Sequence, residues 1–381
     1  MKRCMSTLDK NLIAPVPADA SRMPCLDALK AIACLAIVMH HLSVYGPMSE
    51  IAYPLISGLV DGLYQYGRMA VQAFLVIAGF LSAKNLAPFG VPAVTNPFTL
   101  IKRRYDRLIM PYLAALTAAV VCAALARNWM EADYIPGLPD VTQLLAHALL
   151  LHDLLDQEAL SAGVWYVAID FQLFAFTALL LWLAGRSTCR ETALMKLVAP
   201  VLVACLTVAS LFVFNRNAYW DETALYFFGS YGLGALSYWA SLHRRGAWLL
   251  LLLGAMVAAT LAVEFRPRIA VAGAVTLLLG FSHYYAVFEN RREPRSLMTI
   301  GRISYSVFLI HFPLIMLVNA AFFHFLPHSP LVGLVGLILA LGLSVWGGAL
   351  FYRWIENRRH THRTRLPIVA GFMASSLFST M

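Results

Sequence analysis

Charge is scarce in this 381-residue chain. Asp, Glu, Lys and Arg make up 13% of it, roughly half the share usual in a soluble globular domain. Hydrophobic residues make up 60% and the mean hydropathy is +0.70, more apolar surface than a water-soluble fold of this length can hide. Cysteine is also sparse. The six thiols (Cys4, Cys25, Cys34, Cys122, Cys189, Cys205) show no CxxC spacing, and none falls in a segment read below as facing outward. That argues against a disulfide framework and against a cysteine metal site. The first 25 residues lack a cleavable signal pattern, so the first apolar run is expected to direct its own insertion. No internal repeat is visible, which weighs against the repeat-built secondary transporters.

Long apolar stretches are abundant. They lie at about 26–45, 64–86, 108–127, 164–184, 194–214, 223–242, 247–263, 269–288, 297–325 and 330–355, each near the roughly 20 residues that cross the hydrocarbon, with 247–263 marginal. Ten spans predict an all-α polytopic membrane protein with both termini on one side. Placing that side in the cytoplasm puts 24 of the 29 Lys and Arg inside, the exceptions being Arg68, Arg127, Arg216, Arg266 and Arg268. The formal charge of +9 therefore reports topology. With no nucleic-acid-binding signature in the chain, no nucleic-acid partner is expected. The domain reading is a cytoplasmic tail over 1–25, a transmembrane domain over 26–355 and a second cytoplasmic tail over 356–381. Residues 128–163 form the longest outward loop. The last sixteen residues, "LPIVAGFMASSLFSTM", are apolar but too short to span.

Polar groups at bilayer depth need partners or a wet cavity, which makes them the informative residues. Four groups qualify. In "LDALKAIACLAIVMHH", Asp27 and Lys30 are i, i+3 and can pair. Lys30 and His41 share one helical stripe, roughly 16 Å apart along the axis, while His40 points elsewhere. Asp27 is about 21 Å below His41, too far to orient it. The plainer reading has Lys30 snorkelling and the two histidines capping the outer end of the helix. In "GVWYVAIDFQLFAF", Asp170 and Gln172 enter an apolar helix behind Trp165 and Tyr166, which fit an interfacial aromatic belt. Asp170 lies at about the depth of His41, so an Asp170–His41 contact is expected to satisfy both. In "IKRRYDRLIMPY", Lys102, Arg103, Arg104 and Arg107 read either as an anchor on anionic lipid or as a phosphate clamp. In "IGRISYSVFLIHFPLI", Ser304, Tyr305, Ser306 and His311 bring polar atoms into the ninth span, and Pro313 interrupts it. Ser304 and His311 share a face, although a lone helical histidine is more often a packing residue.

These stretches together resemble the acyltransferase-3 family of bacterial integral-membrane O-acyltransferases. The basic residue, ten intervening residues and histidine of its first helix match Lys30 to His41. "VQAFLVIAGFLSAKNL", with Gly79-Phe80, resembles its second helix, "IKRRYDRLIMPY" its arginine-rich motif, "VWYVAIDFQLFAF" its tryptophan-led helix and "GRISYSVFLIHFPL" its late His-x-Pro helix. The matches run in family order from residue 26 to about 315. Asp170 stands where glutamate is usual, and no SGNH-type esterase domain follows the membrane part.

The resemblance implies a multi-pass protein of the bacterial inner membrane that moves an acyl group, acetyl being the usual one, from cytoplasmic acyl-CoA to a hydroxyl of a surface or exported glycan. His41 would be the general base, Asp170 its orienting group, and Lys30 a counter-charge on the donor's path. Lys102, Arg103, Arg104 and Arg107 would hold the phosphates of CoA. Asp27, Trp165, Tyr166, Gln172, Ser304, Tyr305 and His311 would bind substrate or support the site, without a metal. Two rivals stand against this: a proton-coupled secondary transporter using the same buried Lys, His and Asp, and a donor carrying another acyl group such as succinyl.

Overall fold

The computed structural model describes residues 23–187, 195–287, 294–358 and 361–375; Cys4 and Cys189 lie outside them. Among the described residues every regular element is helical. The α-helices are α1 (Pro24–Val44), α2 (Pro47–Tyr66), α3 (Val71–Leu86), α4 (Pro97–Ala126), α5 (Val141–Ala148), α6 (Val164–Ser187), α7 (Met195–Phe212), α8 (Ala224–Leu242), α9 (Gly246–Val263), α10 (Pro267–Tyr284), α11 (Arg295–Phe325), α12 (Pro330–Phe351) and α13 (His362–Ala374). Proline opens α1, α2, α4, α10 and α12, where its missing N–H costs nothing and its φ is preset. Asn96 caps α4 through the Thr99 amide at 3.1 Å.

Eight stretches among the described residues are long and apolar enough to cross a membrane: α1, the continuous run from Pro47 to Leu86, α4, α6, α7, α9, α11 and α12. The remaining two predicted spans, α8 and α10, are regular helices outside that set. The reason is visible in α8, whose residues from Tyr226 to Ser241 are all buried. A helix surrounded by protein need not be as apolar as one facing lipid, and α8 carries Gly, Ser and Tyr instead. Its backbone lies against α3: a Cβ added to Gly79 would stand 1.8 Å from the Tyr231 carbonyl oxygen, and one added to Gly234 1.9 Å from that of Val76. The Gly79-Phe80 step thus has a packing reason.

α1, α4 and α11 start at the same end of the molecule and run side by side, so we call that end basic. Tyr305 on α11 donates to the Leu108 carbonyl on α4 at 3.1 Å, and the Cys34 thiol on α1 donates to the Ser304 carbonyl at 3.4 Å. α12 runs back along α11 and ends in a single π turn, Tyr352–Glu356, where Ser306 donates to Glu356 at 2.6 Å.

Three features depart from the sequence reading. Residues 47–63, which showed no span-length apolar run, form most of α2, bent at Ile56 (φ −138°, ψ 30°) just after Pro54. The C-terminal apolar stretch supplies α13, which docks on α4 through Arg365 and Asp106 at 3.3 Å and buries Phe372 completely.

The third is the predicted outward loop over 128–163, which returns deep along α4. It leaves α4 after Ala126, yet the Tyr105 hydroxyl donates to the Ala148 carbonyl at 2.7 Å. Tyr105 is about 32 Å back along the helix axis. Irregular backbone survives at that depth only when surrounded by protein, and Leu144, His147, Leu150 and His152 are all fully buried. Gln172 helps hold the segment, donating to the Leu150 carbonyl at 3.1 Å. Consequently α6 starts inside the molecule rather than at its outer rim.

Candidate functional site

α6 begins after Gly163, which adopts φ +83°. A side chain there would be strained, and an added Cβ would meet Phe308 at 3.1 Å and His41 Cε1 at 3.5 Å. The first turn of α6 is therefore level with His41, and each later residue lies closer to the basic end. Asp170, six residues after Val164, is about 9 Å further down. The expected Asp170–His41 contact is overturned by this geometry. Asp170 Oδ2 pairs instead with Arg104 Nη2 on α4 at 2.5 Å. Behind the pair, the Arg104 guanidinium stacks on Phe174 with 5.3 Å to the ring centroid. Asp170 Oδ1 and Arg104 Nε have no hydrogen-bond partner among the described residues.

His41 has a different partner, and it is another imidazole. Its Nδ1 lies 2.7 Å from His311 Nε2, with the rings nearly parallel at 14°. The direction of this bond follows from a second one. His311 Nδ1 is 2.6 Å from the Phe308 carbonyl oxygen, which can only accept. His311 Nδ1 therefore carries the hydrogen, so its Nε2 is the acceptor and His41 Nδ1 is the donor. That leaves the lone pair of His41 on Nε2. His311 is the residue that fixes the tautomer, and the expectation of a packing histidine is corrected. Nor do the two α1 histidines merely cap the helix: His40 Nδ1 is tied to the Leu63 carbonyl of α2 at 2.9 Å, and both rings are 9% exposed.

Below the histidine pair lies a cavity of about 530 Å³. Its charged lining is Asp27, Lys30, Arg104, Arg107, Asp170, Arg302 and Glu356. Ser304, Tyr305 and Tyr166 also line it. Asp27 and Lys30 pair at 3.6 Å, as their i, i+3 spacing predicts. The arginine-rich cluster is divided. Arg104 and Arg107, three apart and on one face of α4, line the cavity, while Lys102 and Arg103 do not; Arg107 is exposed like those two and Arg104 is half-buried. Lys102 pairs with Asp106 at 2.7 Å instead. Among the described residues Arg107 and Arg302 make no ion pair, and Arg107 interacts electrostatically with Glu356, which lines the same cavity.

Tyr166 lines the cavity instead of an interfacial belt, and Trp165 is half-buried. Trp165 packs on Phe227 at 5.3 Å between centroids, and Tyr166 sits between Phe74 (5.8 Å) and Phe308 (5.6 Å) at the top of the cavity. The correction has the same cause as that of Asp170: the α6 N-terminus is internal. Arg302 and Glu356 went unnoticed in the sequence. Arg302 could have been found as the charged residue two before Ser304. Glu356 lay within a basic terminal segment and gave no signal.

The features that matter chemically are an imidazole with a fixed free lone pair, a cavity below it whose lining carries four cations and three carboxylates, and a helical shell apolar enough for a bilayer. They suit group transfer between a charged donor and a poor nucleophile. No curated protein and no solved structure gave a match to this chain. The model of the family described as an acyltransferase domain matches residues 23–348, which include both histidines and all of the cavity lining except Tyr352, Glu356 and Asn357. With nearly the whole chain matched, the protein belongs to the acyltransferase-3 family.

Proposed function

We propose that the protein is a membrane O-acyltransferase that takes an acyl group, acetyl in the simplest case, from cytoplasmic acyl-CoA and transfers it to a hydroxyl of a surface or exported glycan. The basic end is cytoplasmic in this reading, the chain crosses ten times with α8 and α10 included, and the tails 1–25 and 356–381 lie inside. One observation carries the proposal: a cavity lined by Arg107 and Arg302 reaches Phe308, whose ring centroid is 5.9 Å from that of His311 in the His41–His311 pair.

The donor's phosphates would bind Arg107, Arg302 and Lys30 near the mouth, with each guanidinium fork donating to two phosphate oxygens at a time. Arg104, already matched by Asp170, would act through its Nε–H and as a fixed positive wall. The acceptor hydroxyl would approach His41 Nε2 and lose its proton to it as its oxygen attacks the thioester carbonyl. The C–S bond then breaks, and the imidazolium returns the proton to the CoA thiolate, so ester and CoA–SH leave with the base regenerated. Positioned base catalysis of this kind is worth about 10²–10⁴-fold.

The test uses purified protein in nanodiscs with acetyl-CoA, following the free thiol released as water takes the place of the acceptor hydroxyl. Wild type is expected to release CoA, and His41→Ala to abolish release with its yield and melting temperature intact. A transporter using the same residues would leave acetyl-CoA whole, and that result would replace this reading.

A further inference from the structure

The donor cavity and the histidine pair do not communicate openly. Phe74, Tyr166 and Phe308 all line the top of the cavity, whereas His41 does not. The three rings form a closed triangle, with centroid separations of 5.8 Å (Phe74–Tyr166), 6.3 Å (Phe74–Phe308) and 5.6 Å (Tyr166–Phe308). Each comes from a different helix: α3, α6 and α11. Phe308 is the link to the chemistry. Its ring is 5.9 Å from that of His311, its carbonyl holds His311 Nδ1–H, and its Cζ would be 3.1 Å from a Cβ on Gly163. That same Cβ would lie 3.5 Å from His41 Cε1. The absence of a side chain at Gly163 is what leaves room beside the ring.

We propose that Phe74, Tyr166 and Phe308 form a collar through which the acyl group must pass from the donor cavity to His41, and that the Phe308 ring sets the longest acyl chain accepted. The inference rests on the acyltransferase reading above. Its physical basis is steric. The phosphates stay with the cationic walls, the thioester carbonyl has to reach Nε2, and the alkyl part has to fit among three rings packed at van der Waals separation. Rings in such contact leave space for a methyl group only by small rotations. A longer chain demands displacement of the Phe308 ring. One methylene too many in a closed apolar site typically costs about 10- to 200-fold in kcat/KM.

The experiment compares CoA release from acetyl-, butanoyl- and hexanoyl-CoA by wild type, Phe308→Ala and Phe308→Leu in nanodiscs. Wild type is expected to favour acetyl over butanoyl by at least about tenfold. Both variants are expected to narrow that preference, Phe308→Ala by about tenfold or more, with little change in the KM for acetyl-CoA. If Phe308 only packs, all three thioesters slow together and the preference holds, which overturns the collar while leaving the acyltransferase reading in place. A wild type that releases no CoA from any thioester overturns both. Binding of non-hydrolysable S-alkyl-CoA thioethers to wild type gives a readout independent of the variants' folding. The collar predicts no gain in affinity beyond an ethyl chain; a steady gain with each added methylene refutes it.

Discussion

His41 and His311 are joined by a hydrogen bond whose direction is imposed by a backbone carbonyl outside the pair. An imidazole is a weaker orienting group than a carboxylate, because it adds no negative charge to balance the imidazolium that forms during transfer. Its contribution is the tautomer. His311→Ala is therefore expected to lower kcat by about 10²-fold or more, with KM for acetyl-CoA nearly unchanged. His311→Gln, whose carbonyl can accept from His41 Nδ1–H, is expected to recover part of the loss. Equal damage from both variants, with KM moving as much as kcat, would reduce His311 to a packing residue. At this scale the Lys30–His41 spacing was legible, because both residues lie on one helix whose geometry the sequence dictates. The partners of Asp170 and His41 were not, because each pairing joins helices far apart in the chain.

Among the elements, α5 and the segment after it are the least ordinary. His147 donates from Nδ1 to the Gln143 carbonyl at 2.8 Å and accepts the Leu160 amide on Nε2 at 3.2 Å, so its ring is locked in the neutral form. His152 stacks on it at 4.2 Å between centroids. Burial holds His147 down to about 4 and His152 to about 3, and pushes the Asp153 carboxyl up to about 6. The 3.5 Å approach of His152 to Asp153 is thus no ion pair at neutral pH. At pH 5 the unfolded chain protonates both imidazoles and not the carboxyl, whereas the folded chain protonates the carboxyl and neither imidazole. Over these three groups the unfolded state then binds about one proton more, so their contribution to stability rises as pH increases from 4 to 6. Thermal melts across that range are expected to show the slope in wild type and to lose it in His152→Asn; parallel curves would contradict the assignment. The inward return of this segment escaped the sequence because α5 has only eight residues and its loops carry the polar residues of any surface connection.

For the molecule as a whole, charge placement decides where an anionic donor can go. Lys102 and Arg103 are exposed within two turns of the same helix as Arg104 and Arg107, so each pair contributes alike to insertion but only one faces the cavity. Neutralising Arg107 and Arg302 together is expected to raise the apparent KM for acetyl-CoA by about tenfold or more, each lost charge-assisted contact being worth about 1.5–3 kcal/mol. Neutralising Lys102 and Arg103 is expected to leave KM within about twofold and to lower membrane yield. The reverse pattern in a kinetic comparison at constant ionic strength would move the donor site to the α4 surface. The sequence alone determined the class, the helices that carry the ten long apolar runs, the basic end and the stripe from Lys30 to His41, because apolar run length, charge distribution and the 3.6-residue period are local properties of the chain. Only the tertiary structure decided which groups meet. The depth at which α6 starts depends on how far residues 127–163 turn back into the protein, and that follows from packing against α4, which no local pattern encodes.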